Sequence, residues 1–170
     1  MEKEKEKKEQ AVEFVVQRTF KAPRQLVWKT FTEAKHLENW WGPKGSKIAL
    51  KKFDLRPGGI FHYSMEMGGQ VMWGRFIYKE IVEPEKIVFI SSFSDENGGI
   101  SKAPFLDNFP SEIMNVFTLA ETDGSTLLTL RGGPLNTNEE QIKTYKDLFP
   151  SMNQGFKGTF DQLEEYLTTL

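Results

Sequence analysis

Cysteine is absent from the sequence, which rules out a disulfide frame, thiol catalysis and cysteine-ligated zinc. Histidine is nearly as scarce. His36 and His62 are the only two among 170 residues, too few for a histidine-rich metal centre, so neither a metal nor a cofactor is expected. An excess of charge of one sign is also missing. The 22 Lys and Arg against 24 Asp and Glu leave a formal net charge of -2, which offers no electrostatic footprint for nucleic acid or an anionic membrane. No apolar run reaches the length of a membrane span and no secretory hydrophobic core precedes the first structured stretch, so the expected location is the cytoplasm. The familiar catalytic signatures do not occur: no G-x-S-x-G elbow, H-E-x-x-H pair, P-loop or dinucleotide fingerprint.

What the chain has in quantity is rings. Aromatic residues make up 13% of it, with 14 Phe and 4 Trp, which favours a core or pocket lined by them. Near the C-terminus, Met152, Phe156, Phe160, Leu163, Leu167 and Leu170 recur in steps of three and four, the stripe of an amphipathic helix. Ser151 followed by Gln154 reads as its capping box, and Pro150 as the stop of whatever precedes it. Gly155 and Gly158 interrupt the helix, each costing about 1 kcal/mol against Ala. Two explanations stand for them: close packing of the helix on a sheet, or a border on a cavity.

The remaining pattern follows in chain order. Residues 1–11 are mostly Glu and Lys and read as a charged arm, with one domain over 12–170. Alternation over 12–20 predicts a strand, and two short helices follow, through Glu33 and then over 34–40, closed by Gly42 and Pro43. From 46 to 131 the period is that of strands. Ile48, Leu50 and Phe53 belong to the first, and Gly- or Pro-bearing turns separate it from strands over 60–67, 71–82, 87–93, 113–120 and 126–131. Residues 94–111 lack periodicity, yet Phe105, Leu106 and Phe109 suit a cover over the fold better than a solvated loop. Thr137 with Glu140 reads as a second capping box, opening a short helix. This order predicts an α+β fold in which a curved antiparallel sheet of about seven strands wraps a long C-terminal helix and leaves a cavity between them.

Several motifs carry a family resemblance: Trp40-Trp41-Gly42-Pro43, Asp54-Leu55-Arg56-Pro57-Gly58-Gly59, the run from Gly74-Arg75-Phe76 through Glu83-Pro84-Glu85, and Gly155-Phe156. In order and spacing they resemble the Aha-type family, homologues of the activator of the 90-kDa heat-shock chaperone's ATPase, within the START-like, birch-pollen-allergen-like superfamily. Phe156 departs from the Trp that the family often carries there. The resemblance implies a helix-grip fold, and it leaves function open among ligand carriers, cyclases, hydrolases and co-chaperone modules with a stress role. The eukaryotic co-chaperones of the family carry a further N-terminal domain, whereas only the charged arm precedes the first strand here.

The expected occupant of the cavity is a small hydrophobic or aromatic molecule. Candidate lining residues are Phe61, Tyr63, Met65, Trp73, Arg75 and Phe117 from the strands, Met152 and Phe156 from the helix, Phe105 and Phe109 from the cover, and Trp40 at the mouth. Either tryptophan of the Trp40-Trp41 pair could anchor the core while the other edges the cavity. An enzyme of cyclase or hydrolase type would draw on His62, Glu66, Tyr63 or Arg75, and at least two of these would have to converge inside the cavity. Two arrangements of His62 are open, in the concavity with Glu66 or on the solvated side behind Phe61, Tyr63 and Met65. Arg75 could hold a ligand's polar group or form a surface ion pair with Glu66, and Asp54 with Arg56 suits a structural salt bridge at a turn. A chaperone partner would need a charged or apolar patch on the convex surface. Both a monomer and a homodimer paired through an edge strand are compatible with the pattern.

Overall fold

Alternating apolar positions draw seven strands into one sheet, and the structure, a computed structural model, describes residues 12–170 of the chain. The charged arm expected over 1–11 lies outside the described residues. Strand β1 (Phe14–Phe20) leads into helices α1 (Arg24–Thr32) and α2 (Ala34–Trp40). Six strands follow: β2 (Lys47–Phe53), β3 (Ile60–Met67), β4 (Gln70–Val82), β5 (Lys86–Ser94), β6 (Glu112–Thr122) and β7 (Ser125–Leu135). The chain ends in α3 (Glu139–Asp147) and α4 (Phe149–Leu167). The sheet has seven strands in the order β1-β7-β6-β5-β4-β3-β2, every neighbouring pair antiparallel, so β1 and β2 form its edges. Its curved inner face grips α4, the helix-grip arrangement.

Even-numbered steps along the strands decide the inner face, because side chains alternate across a sheet. Phe76 and Tyr78 of β4, Ile87 and Phe89 of β5, and Phe117 and Leu119 of β6 are all buried there, and Phe160 and Leu163 of α4 close over them at 1% and 0% exposure. Burying those two helix side chains contributes about 3–6 kcal/mol as an upper estimate. Trp40 is sealed at 1% exposure with its indole N–H donating to the Thr30 carbonyl at 3.0 Å, which fixes α2 against α1. A second, smaller cluster of Val12, Phe14, Ile113 and Tyr145 sits at the other end of the sheet under α3 and the start of α4. Phe156 packs on both clusters and marks the boundary between them.

The helix starts differ from the sequence expectation. At α3 the capping box is shifted by one residue: Asn138 accepts from the Gln141 amide at 2.8 Å and Gln141 Oε1 accepts from the Asn138 N–H at 3.1 Å, in place of Thr137 and Glu140. Asn is among the strongest N-cap residues, and this frame leaves Glu139 and Glu140 in the first turn, where the helix dipole favours them. Ser151 does not cap α4. That helix begins at Phe149 with Pro150 in its first turn, a place where the missing proline N–H costs nothing, and a single residue, Leu148, joins it to α3. Pro150 therefore opens one helix instead of ending another.

Gly155 and Gly158 are not points of close packing. A Cβ built on either would meet nothing within 4 Å. The turn after α2 is one place where α4 is held: the carbonyl of Gly42, at φ 96°, accepts from Thr159 Oγ1 at 3.2 Å and Gln162 Nε2 at 2.8 Å. Among the described residues no helix is long and apolar enough to cross a membrane.

Candidate functional site

A cavity of about 250 Å³ lies between the sheet and α4 beside Phe156, the residue that packs on both hydrophobic clusters. Its walls are the inner faces of β3 to β6, with Phe156 of α4 above and Phe109 and Pro110 at one end. The same even-step rule explains the wall. Tyr63 and Met65 continue the row of Phe61 on β3, Gly74 continues that of Phe76 and Tyr78, Ser91 and Phe93 that of Ile87 and Phe89, and Ile113 that of Phe117. Gly74 is required by its neighbour, since a Cβ there would stand 2.6 Å from the Tyr63 ring.

Aromatic contacts form the cover. Phe93 meets Phe105 at 5.5 Å and Phe109 at 5.8 Å between centroids, and Phe109 meets Tyr145 at 6.1 Å. Asn108 Nδ2 donates to Glu140 Oε1 at 2.7 Å and ties this segment to α3. Phe105 remains 54% exposed, so it forms the outer rim of the cover.

Polar groups in the wall are few. Burial pushes the Tyr63 hydroxyl up to about 12, and the nearby Trp41 indole acts in the opposite direction. The Trp41 ring meets Tyr63 edge-on at 6.3 Å, yet its buried Nε1 has no partner of hydrogen-bond geometry among the described residues, so the pair is loose. Among the described residues no acceptor takes the Tyr63 proton. Ser91 Oγ accepts from Asn115 Nδ2 at 2.8 Å, while the second Asn115 proton goes to the Ile113 carbonyl at 3.0 Å. The Ser91 proton likewise finds no acceptor among the described residues. An apolar wall thus offers two hydroxyl donors, and the site can hold an uncharged molecule that carries an acceptor oxygen.

Of the residues singled out from sequence, Tyr63, Met65, Trp73, Phe109 and Phe156 border this cavity. Trp40, Phe61 and Phe117 lie instead in the closed core at 1%, 0% and 4% exposure, and Met152 packs half-buried on the smaller cluster. Trp41, not Trp40, is the half-buried member of its pair. Arg75 is on the outer face of the sheet, where its Nη1 donates to the Gly98 carbonyl at 2.9 Å, not to Glu66, because the bend at 95–99 folds over it. His62 shares that face. It is buried, 4% exposed, beneath the same bend instead of being solvated, with Nε2 2.9 Å from the Asp95 carbonyl. The four residues that an enzyme would draw on do not converge in the cavity, since only Tyr63 borders it and Glu66 is exposed. Asp54 and Arg56 form the expected turn salt bridge at 2.8 Å. Gly74, Ser91, Ser92, Phe93, Pro110 and Ile113 border the cavity without having been singled out; a serine in the apolar row 87, 89, 91, 93 was the available signal.

Solved structures of similar shape come from several bacteria. A Mycobacterium smegmatis protein is 25% identical, with 95% of this chain and 93% of that one covered and a TM-score of 0.78. A Nitrosomonas europaea protein is also 25% identical, covering 93% and 95% at a TM-score of 0.73. A protein of the dynemicin biosynthetic locus shares the fold at 16% identity and a TM-score of 0.64, this chain spanning 48% of its length. No protein of curated function matches by sequence. Residues 21–168 match the family described as Activator of Hsp90 ATPase homolog 1-like protein, and with nearly its whole length inside that match the chain belongs to this family.

Proposed function

We propose that the protein binds a small, uncharged, largely apolar molecule with one acceptor oxygen in the cavity between the sheet and α4. The observation that carries this is the pairing of an apolar wall with two hydroxyls, on Tyr63 and Ser91, whose protons have no acceptor among the described residues. A volume of about 250 Å³ equals roughly eight waters at ~30 Å³ each, which suits a ligand of one or two rings. A carbonyl has two lone pairs and can take both donors at once. Burial keeps Tyr63 protonated at neutral pH, so it acts as a donor and not as an anion.

Calorimetric titration with α-tetralone, a two-ring ketone, and with tetralin, the same skeleton without the oxygen, tests the proposal. The ketone is expected to bind about tenfold tighter, the worth of one to two neutral hydrogen bonds. In Tyr63→Phe most of that preference should disappear, and in Met65→Trp, which fills the cavity, both ligands should bind weakly. Equal affinities of ketone and hydrocarbon for the natural protein, or binding indifferent to both substitutions, would overturn it.

A further inference from the structure

The outer face of the sheet holds a second cleft, of about 560 Å³, lined by Lys51, Lys52, Ile60, His62, Trp73 and the 96–98 bend. It shares Trp73 with the inner cavity but lies on the opposite side of β3 and β4. We propose that this cleft is a binding site for a small anionic molecule bearing a carboxylate or a phosphate, held by the ammonium groups of Lys51 and Lys52 against the rings of Trp73 and His62.

The first support is a bulge in β2. Leu50 pairs with Tyr63 and Lys52 with His62, so Lys51 is an extra residue opposite nothing. In an unbroken strand Lys51 and Lys52 would face opposite sides of the sheet. The bulge turns both lysines toward the same cleft while Phe53 returns to the inner face, and re-aiming a side chain is what bulges near sites do. The apolar steps from Ile48 to Leu50 and then to Phe53, two residues and then three, are its trace in the sequence.

The imidazole supplies the second. A carbonyl only accepts, so the 2.9 Å contact between Nε2 and the Asp95 oxygen places the ring proton on Nε2. Nδ1 is left with its lone pair as an acceptor, next to Gly98, where even an added Cβ would stay 3.8 Å away, and it can take the O–H of a ligand such as hydrogen phosphate. The ring is stacked on Trp73 at 5.0 Å and 27°, so its orientation is fixed before any ligand arrives.

The cleft's far wall is pinned as well. Asp95 Oδ1 accepts from the Asn97 and Gly99 amides at 2.8 and 2.9 Å, and these bonds hold its carboxyl below the usual range. Arg75 Nη1 holds the Gly98 carbonyl at 2.9 Å from the sheet side. The bend is therefore clamped to the sheet by a buried imidazole and a guanidinium, and Oδ1 of Asp95 is taken up by two amides of the bend. Glu96 is the one acidic side chain of the lining, against two lysines. A preformed cleft with two lysines, a ring wall and a fixed acceptor nitrogen suits a compact anion, a carboxylate held by the lysines alone or a hydrogen phosphate that also donates its O–H to Nδ1.

The test is an NMR titration of the whole protein with inorganic phosphate and, separately, with benzoate, chloride being lowered to keep ionic strength constant. Saturable shifts of the Trp73 indole N–H and the Gly98 amide are expected with at least one probe. Both lysine side chains are exposed, so Lys51→Ala/Lys52→Ala should fold normally, checked by its unchanged amide spectrum, and should bind about tenfold more weakly. Lys143→Ala, on α3, should bind as the natural protein does. Absence of saturation with both probes, or equal affinity in the double variant, would overturn the proposal. A ketone titration of the inner cavity remains informative in either case, so the two sites are judged separately.

Discussion

Replacing Gly155 and Gly158 by Ala should stabilise the protein. Both lie inside α4, where Gly is less favourable than Ala by about 0.8–1.0 kcal/mol in a helix interior. The usual reason to keep a helical glycine is a neighbour that a methyl group would strike, and at these two positions a Cβ meets nothing within 4 Å. The positions are i, i+3 neighbours with Cβ atoms about 5–6 Å apart, but no group lies within 4 Å of either for them to share, so the gains should add to about 2 kcal/mol. For a domain of this size, 1 kcal/mol moves the melting temperature by roughly 2–4 °C, which gives a rise of about 4–8 °C in the double variant. Thermal unfolding followed by circular dichroism reads this directly. A fall in melting temperature would refute the reasoning, because it would mean that α4 packs more closely at these residues than the structure has it.

Two further outcomes are expected. Tyr63 has a folded pKa of about 12 against an ordinary value near 10, so the stability from its neutral form is complete below pH 10 and is lost as pH rises from 10 through 12. Two pH units correspond to about 2–3 kcal/mol, and denaturant unfolding of Tyr63→Phe should show a shallower alkaline loss; identical slopes in the two proteins would contradict this. Gly42→Ala should cost about 1–3 kcal/mol, since φ is 96° and the new methyl would stand 3.0 Å from Ser46 Oγ and 3.1 Å from Met65 Sδ, and unchanged stability in a denaturant titration would count against it.

Much of the fold could be read from periodicity. Alternation in β1, β3 and β4 and the three- and four-residue steps of α4 follow from which face each element must bury, and the strand and helix order then leaves few ways to pack. The helix starts were less legible, because Thr137, Asn138 and Ser151 are all competent caps by composition and the choice among them is made by where the chain must turn. The inner wall was half legible. Tyr63 and Met65 come from the apolar row of β3, but Ser91 is polar and Gly74 has no side chain, so neither stands out in a search for apolar lining. Arg75 and His62 were hardest of all. Their surroundings depend on the carbonyls of Asp95 and Gly98, which belong to a bend 23 to 33 residues away and carry no signature in the side-chain sequence.

The cavity between sheet and helix is the centre of this protein's chemistry if its wall takes a ligand, and intermolecular NOEs from bound α-tetralone test that most directly. Contacts from the ligand's ring protons to Tyr63, Ile113 and Phe156 are expected, with loss of the Tyr63 contacts' strength and of affinity in Met65→Trp. Saturable binding whose NOEs fall elsewhere on the protein, or no saturable binding at all, would contradict it.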